Sequence, residues 1–324
     1  MHEEIGLYED LSSGIDIITD ARHGWRKNAY DTSVVAIGER TSKVISCQHI
    51  SKNDDRVTQR HEMIGTRRVY QKLAEGDVSV RVHTHDRNMS VNKYVREEQK
   101  DTINQNDTWH GVKSLKKALT KISSGPRYTE GKIWSEQLRD KVESVSTHVH
   151  WAIRNCRGDA TCLRESISNI VEHYKNDHAK CNPSSRCRSG ENYEPRRLVI
   201  RDPVAEKLLR GVLLNSVIYK HPDDFKLGRD TYVVESFNNV LNIYEDKRIV
   251  FGRDQYDSRA QLATLHWNEN VKREFTSVTV RRDPHAPRQR TGRKVLKRPT
   301  YNFIRSIWSR YIRSVYRVRR VRRV

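Results

Sequence analysis

GIDIITDARHGWRKNAYDTSVVAIGERTSKVISCQH, residues 14–49, holds three short β-rich runs, Gly14–Asp20, Thr32–Gly38 and Lys43–His49. They stand at hairpin-like separations, and Gly38 with the polar residues after it supplies turn chemistry, so the stretch reads as a three-strand meander. Downstream the hydrophobic period changes. Arg56–Leu73 is helical in pattern, and Asp77–His83 (DVSVRVH) returns to strand with Val78, Val80 and Val82 on one face. A helix over roughly Ser90–Lys100, a short strand over Thr102–Asp107 and a helix over about Thr108–Ile122 follow, the last closed by Ser-Ser-Gly-Pro at 123–126.

This β-β-β-α-β-α-β-α order predicts an α/β fold, a mixed sheet flanked by helices, which is the layout of ribonuclease-H-like domains and is shared by other α/β folds. From about 127 to 230 the alternation breaks. Helical patterns around Ile133–Val145, Thr147–Asn155, Ala160–Lys175 and Asp202–Asn215 predict a large helical insertion. Val233–Tyr244 and Ser258–Glu274 then read as long helices returning to the core. The expected domains are a core of 14–125 with 231–280, an insertion over 126–230, and a basic tail over 284–324.

The 324 residues are 35% apolar, enough to build a core. No run of about 18 apolar residues exists, and MHEEIGLYED lacks the basic-then-apolar layout of a secretory signal, so a location inside the cell is expected, without integral membrane association. The formal charge of +20 points to a polyanion partner, but 14 Lys and Arg and no Asp or Glu follow Asp283, leaving 47 basic against 41 acidic residues before it. The body is therefore only mildly basic, and the tail alone accounts for no more than non-specific phosphate attraction. Five cysteines, an odd number, argue against a disulfide framework and for a reducing compartment. Cys47 reads as a buried strand residue.

Asp20 ends the first strand, Asp86 follows the strand DVSVRVHTH, and Glu235 sits early on a helix after the insertion. Phosphodiester cleavage uses two divalent ions about 4 Å apart, held by carboxylates that several elements bring to one end of a sheet. Hard Mg²⁺ or Mn²⁺ suits such oxygen ligands. Taken singly, an Asp after a strand is most often a turn or cap residue. Asp16, on the same strand face, rivals Asp20, which is preferred for its place at the strand exit.

TDARHGWRKNAY (19–30), VHTHDRNMSVNKYVR (82–96), NQNDTWHGVKSLKKAL (104–119) and VESFNNVLN (234–242), in that order, resemble the sequence blocks of Kolobok-type transposases, which are related to Mutator-like and hAT elements. The resemblance covers about residues 14–280. It implies a ribonuclease-H-like core with a DDE triad and a helical insertion before the Glu, with Asp20, Asp86 and Glu235 as the three carboxylates. It also implies a [C/D]-x-x-H motif, carried here by Asp107 and His110. On a helix start, residues three apart share a face, so these two are expected to support the site, His110 contacting a phosphate and Asp107 orienting it.

The implied activity is metal-dependent hydrolysis of DNA phosphodiesters followed by strand transfer, in a nuclear protein that assembles as a homo-oligomer to pair two DNA ends. The rival reading is a non-catalytic DNA- or chromatin-binding descendant. Family members carry an upstream zinc-dependent DNA-binding domain, often of the THAP type, and the chain is expected to be a catalytic core without one. Arg22, Arg26, Lys27, Arg87 and Lys113 are candidates for phosphate contacts, with solvated surface as the equal alternative.

Two features stand apart from this pattern. Between His148 and Cys187, Cys156, His178, Cys181 and Cys187 can supply four zinc ligands, although no CxxC pair is present. Phe303, Ile307, Trp308, Tyr311, Ile312 and Val315 recur every three to four residues among Arg305, Arg310, Arg313 and Arg317, predicting a basic amphipathic helix. Lys294–Arg298 and the terminal Arg cluster suit nuclear import.

Overall fold

Along the chain, α1 (His2–Ile5) precedes β1 (Ile15–His23), β2 (Asp31–Gly38), β3 (Val44–Ser51), α2 (Thr58–Ala74), β4 (Val80–His85), α3 (Met89–Glu98), β5 (Ile103–Asn106) and α4 (Thr108–Ser123). Then come α5 (Val142–Asn155), α6 (Ala160–Tyr174), α7 (Arg186–Ser189), α8 (Pro203–Asn215), α9 (Val217–Lys220), α10 (Tyr232–Tyr244), α11 (Arg253–Asn270), β6 (Phe275–Asp283), β7 (Ala286–Leu296) and α12 (Asn302–Val321). The computed structural model describes the chain except residues 9–13, 25–27, 126–132, 184, 190–192, 284–285 and 322–324, and describes only the backbone of 281–283, 286–291 and 316–321. Two compact units are formed, Met1–Val80 with Tyr232–Val324, and Arg81–Thr231.

In the first unit β1, β2 and β3 form the expected antiparallel meander, with Asp20 opposite Val35 and Val35 opposite Cys47. All eight residues of β2 are buried, the mark of a strand covered on both faces. Alternation along the strand divides the two coverings. Val34 faces α2, where Gly65 allows close approach: a Cβ at Gly65 would run into the Val34 side chain and come within 2.7 Å of Ile50 Cδ1. Val35 and Ile37 face the other way and pack with Ile18 and Val44 against Val234, Phe237 and Leu241 of α10 and Ala260 and Ala263 of α11. Cys47 is half-buried on that same face.

In the second unit β4 and β5 pair in parallel, with His85 opposite Asn106. The helices form one apolar core from Leu115 and Leu119 of α4, Val149 and Ile153 of α5, Leu163 and Ile167 of α6, and Leu209 and Leu213 of α8. Antiparallel and parallel strands flanked by helices make the chain α/β and are compatible with a ribonuclease-H-like core. Among the described residues no helix is long and apolar enough to cross a membrane.

Two differences from the sequence reading have physical causes. The helix expected over Ser258–Glu274 runs instead over Arg253–Asn270, after Gly252 in extended conformation. The β6–β7 hairpin is an addition to the expected elements: Phe275, Val278 and Val280 stay exposed, so among the described side chains no burial gives the strands a readable alternation. The basic helix α12 is present, and the Glu269 carboxylate of α11 accepts from the Asn302 and Phe303 N–H groups at 2.9 Å each, fixing its N-terminus. Phe303 is buried, whereas Ile304, Ile307, Trp308, Tyr311 and Ile312 are exposed.

The close crossing at Gly65 is directly testable. Gly65→Ala would gain up to about 1 kcal/mol of helix propensity but force the overlap with Val34. Overpacking of this kind costs about 1–3 kcal/mol, so urea denaturation is expected to show a net loss of stability.

Candidate active site

Because β4 and β5 are parallel and His85 is in register with Asn106, the residues that follow them, Asp86 and Asp107, leave the same end of the strand pair. Ligands of open α/β sheets bind outside the carboxyl ends of the strands. Both exits are locked to one carbonyl, since His85 O accepts from the Arg87 and Asp107 N–H groups at 2.9 Å each. Arg87 adopts a left-handed φ of 56°, which turns the chain sharply into α3. The polar run Asn104–Asn106 is buried, and the amides of Asn104 and Gln105 are bonded within the unit. Asn104 donates to Asn92 at 2.6 Å and to Asp224 at 3.0 Å, while its carbonyl oxygen lies 3.0 Å from His85 Nε2. Burial pushes the His85 imidazole down to about 4, so this strand carries a neutral histidine.

Asp107 caps α4. Its Oδ1 accepts from the His110 N–H at 2.8 Å, and its Oδ2 accepts from the Thr231 N–H and hydroxyl, both at 2.7 Å. Thr231 Oγ1 also lies 3.1 Å from Asp86 Oδ1, but its one proton can serve only one carboxylate. His110 Nε2 stands 3.4 Å from the same Asp86 oxygen. Burial pushes the Asp86 carboxyl above the usual range, against the opposing pull of His110 and Thr231. Asp86, Asp107 and His110 offer ligand atoms all within 4.8 Å of one another. Asp107 already accepts from three donors, so Asp86, with 31% of its side chain exposed, is the carboxylate with more capacity left for a cation. Its desolvation is the physical fit: a buried anion is stabilised by a divalent ion.

The other two expected carboxylates, Asp20 and Glu235, belong to the first unit. Even-numbered β1 residues run along α10. Ile18 packs on it, Asp20 Oδ2 accepts from Asn238 at 2.7 Å, and Arg22 reaches Asn242 and Glu245. Glu235 lies one turn before Asn238 on α10 and is exposed. Asp20 Oδ1 also accepts from the Ala21 N–H at 2.8 Å. Asp16, its rival, is buried, and Asp20 lies within β1 rather than at its exit, because the pairing with β2 continues to His23.

The expected phosphate contacts divide. Arg22 is no surface cation: it is buried in an ion pair with Glu245 at 3.1 Å and bonds Asn242 at 2.9 Å. Its place on the α10-facing side of β1 forces this. Arg26 and Lys27 lie outside the described residues. Arg87 is half-buried at the rim of a cleft of about 980 Å³ between α4, α8 and α9. Lys113 is exposed, with its Nζ 4.1 Å from the ring centroid of the exposed Trp109, which in turn meets His110 edge-on at 4.9 Å. The sequence reading gave Trp109, Thr231 and Asn238 no role. Trp109 was discoverable as an aromatic inside the D-x-x-H segment, whereas nothing local marks Thr231.

Of the proposed zinc ligands, His178, Cys181 and Cys187 come together, and the fourth member of their cluster is His173. Cys156 is not part of it. Its thiol is buried against the Ile153 and Lys226 carbonyl oxygens, at 3.1 and 3.3 Å. The turn after α5 points it into the helical core, a direction that spacing alone does not reveal.

Asp86 and Asp107 at the C-terminal ends of parallel strands, with His110, form a cluster whose ligand atoms are close enough together to hold a metal ion. The family model of Mutator-like transposases matches residues 53–187, less than half of the 324 residues. The match supports a transposase or a protein derived from one, with DNA as the implied partner and metal-dependent chemistry in general. It contains Asp86, Asp107, His110 and the His/Cys cluster, and excludes Asp20 and Glu235. No curated protein matches the chain.

Two substitutions probe this geometry. Asp107→Asn keeps one acceptor but turns an amide donor toward Thr231, and is expected to cost about 1–3 kcal/mol in urea unfolding, more than Thr231→Val, which removes one bond. Burial pushes Glu245 up to about 7 despite the neighbouring Arg22. The folded chain thus holds a proton that the unfolded chain releases near pH 4.3, so this contribution to stability is present below that pH and is lost as pH rises through about 7. The urea midpoint of the native chain should therefore fall between pH 5 and 8 relative to that of Glu245→Gln.

Proposed function

We propose that the chain is a DNA transposase of the DDE type, or its direct descendant, in which Asp20, Asp86 and Glu235 hold two Mg²⁺ or Mn²⁺ ions. The observation that carries this reading is the Asp86–Asp107–His110 constellation inside the segment that matches Mutator-like transposases. The four sequence blocks favour the Kolobok type within that group and a ribonuclease-H-like core. Bound divalent ions supply an activated water and neutralise charge on the scissile phosphate.

The chain's own residues position and orient. Asp107, by binding the His110 N–H and Thr231 together, holds the imidazole beside Asp86. His110 is then placed to meet a phosphate oxygen, and the Trp109–Lys113 pair offers a stacking face and a cation to a strand of DNA. Most of the rate acceleration in such a site comes from positioning and charge neutralisation. Pairing of two DNA ends calls for a homo-oligomer, and the basic segment Lys294–Arg298 for nuclear import.

The exposed basic helix α12 favours a second reading, a DNA-binding protein without catalysis. Thermal melting with and without Mg²⁺ or Mn²⁺, combined with a gel assay for nicked and joined DNA, separates the two. Under the lead reading, millimolar metal raises the melting temperature, since a ligand of the folded state alone stabilises it. Asp86→Asn and Glu235→Gln abolish that gain and the DNA products. The raised Asp86 pKa means its contribution to stability is lost as pH rises through the folded value, so metal-free Asp86→Asn should melt above the native chain at pH 7. DNA binding with no metal response and no products would establish the non-catalytic reading instead.

A further inference from the structure

We infer that His173, His178, Cys181 and Cys187 form a closed, structural zinc site that fastens the chain beyond α6 onto that helix. It stands independently of the transposase reading. The spacing is H-x4-H-x2-C-x5-C, all within 15 residues. Each residue offers a ligand atom, and all four atoms lie within 4.8 Å of one another.

The distances carry the argument. Zinc binds sulfur at about 2.3 Å and imidazole nitrogen at about 2.0–2.1 Å, and a tetrahedral angle between those arms sets sulfur and nitrogen about 3.6 Å apart. Cys181 Sγ is 3.5 Å from His173 Nδ1 and 3.6 Å from His178 Nδ1. A thiol has one proton and can donate to only one of two imidazole nitrogens, whereas a divalent cation satisfies both with the sulfur.

Local structure builds this convergence from three pieces. His173 occupies the last turn of α6. Asn176, at φ 68°, reverses the chain after that helix, so that His178 returns to stack edge-on against His173 with ring centroids 4.9 Å apart. The Cys181 N–H donates to His178 O at 3.0 Å, and Cys187 comes back on α7, where Arg188 ties to the Ala179 carbonyl at 2.6 Å. Asn169, one turn before His173, donates to Cys181 Sγ at 3.4 Å, the outer-shell contact expected of a thiolate ligand. Four protein ligands leave no open position, which makes the site structural rather than catalytic. A cross-link of this kind suits a stretch, 175–200, whose one described helix is the four-residue α7.

The test is elemental analysis of the full chain, purified without chelator and dialysed, alongside Cys181→Ser, His173→Ala and Cys156→Ser. One zinc per chain is expected in the native protein and in Cys156→Ser, and its loss in the other two. Replacement by Co²⁺ should produce the visible absorption of tetrahedral sulfur–nitrogen ligation, a readout on the native chain that depends on no variant folding. Absence of stoichiometric zinc, a Cys181–Cys187 disulfide by mass spectrometry under non-reducing conditions, or zinc lost from Cys156→Ser but retained in Cys181→Ser would overturn the assignment.

Discussion

The carboxylate of Asp107 accepts three hydrogen bonds, from the His110 N–H, the Thr231 N–H and the Thr231 hydroxyl, and the geometry around Asp86 follows from them. Because β4 and β5 are parallel and in register, the chain exits at Asp86 and Asp107 are forced to be neighbours. Two adjacent carboxylates repel, and the hydrogen-bond donors are shared unequally between them, most going to Asp107. Asp107 takes three hydrogen bonds, while Asp86 is left desolvated beside His110, with its proton held more tightly than usual.

The same division of labour runs through the first unit. One face of β1 carries Ile18, Asp20 and Arg22 along α10, so packing, a candidate ligand and a buried ion pair share one strand–helix contact. Arg22 is spent on Glu245 there and is lost to DNA. Charge available to a polyanion is displaced outward, to the exposed Lys113 beside Trp109 and to Arg305, Arg310 and Arg313 of α12. This agrees with the composition, in which the body is only mildly basic and the excess lies at the C-terminal end.

The legible parts of the fold were those whose signal is local. The strands of the meander, the parallel pair, α4 and the helical stretch between α5 and α8 all bury one face or both, and that burial writes itself into period and composition. The described side chains of the β6–β7 hairpin are exposed, and they left no such trace. For the site, Asp107 and His110 were found as a spaced pair, but their relation differs from a shared helix face: the carboxylate binds the backbone N–H of His110 and leaves its imidazole to Asp86. In the His/Cys cluster, His178, Cys181 and Cys187 were within reach of spacing arguments, whereas choosing His173 over Cys156 required the direction in which each helix end points its side chain.

By itself the sequence determined the α/β class, the meander, the positions of Asp86 and Asp107 at strand exits and of Glu235 on a helix, and the separation of basic tail from mildly basic body, because each depends on residues close together in the chain. Tertiary structure alone decided which carboxylate takes three hydrogen bonds and which keeps more free capacity, that Arg22 is buried, and which four ligand atoms converge. Those outcomes turn on partners such as Thr231, Glu245 and His173, brought in by register and helix packing. Hydrogen bonds and ion pairs act over a few ångströms of space, and sequence separation carries no record of that distance.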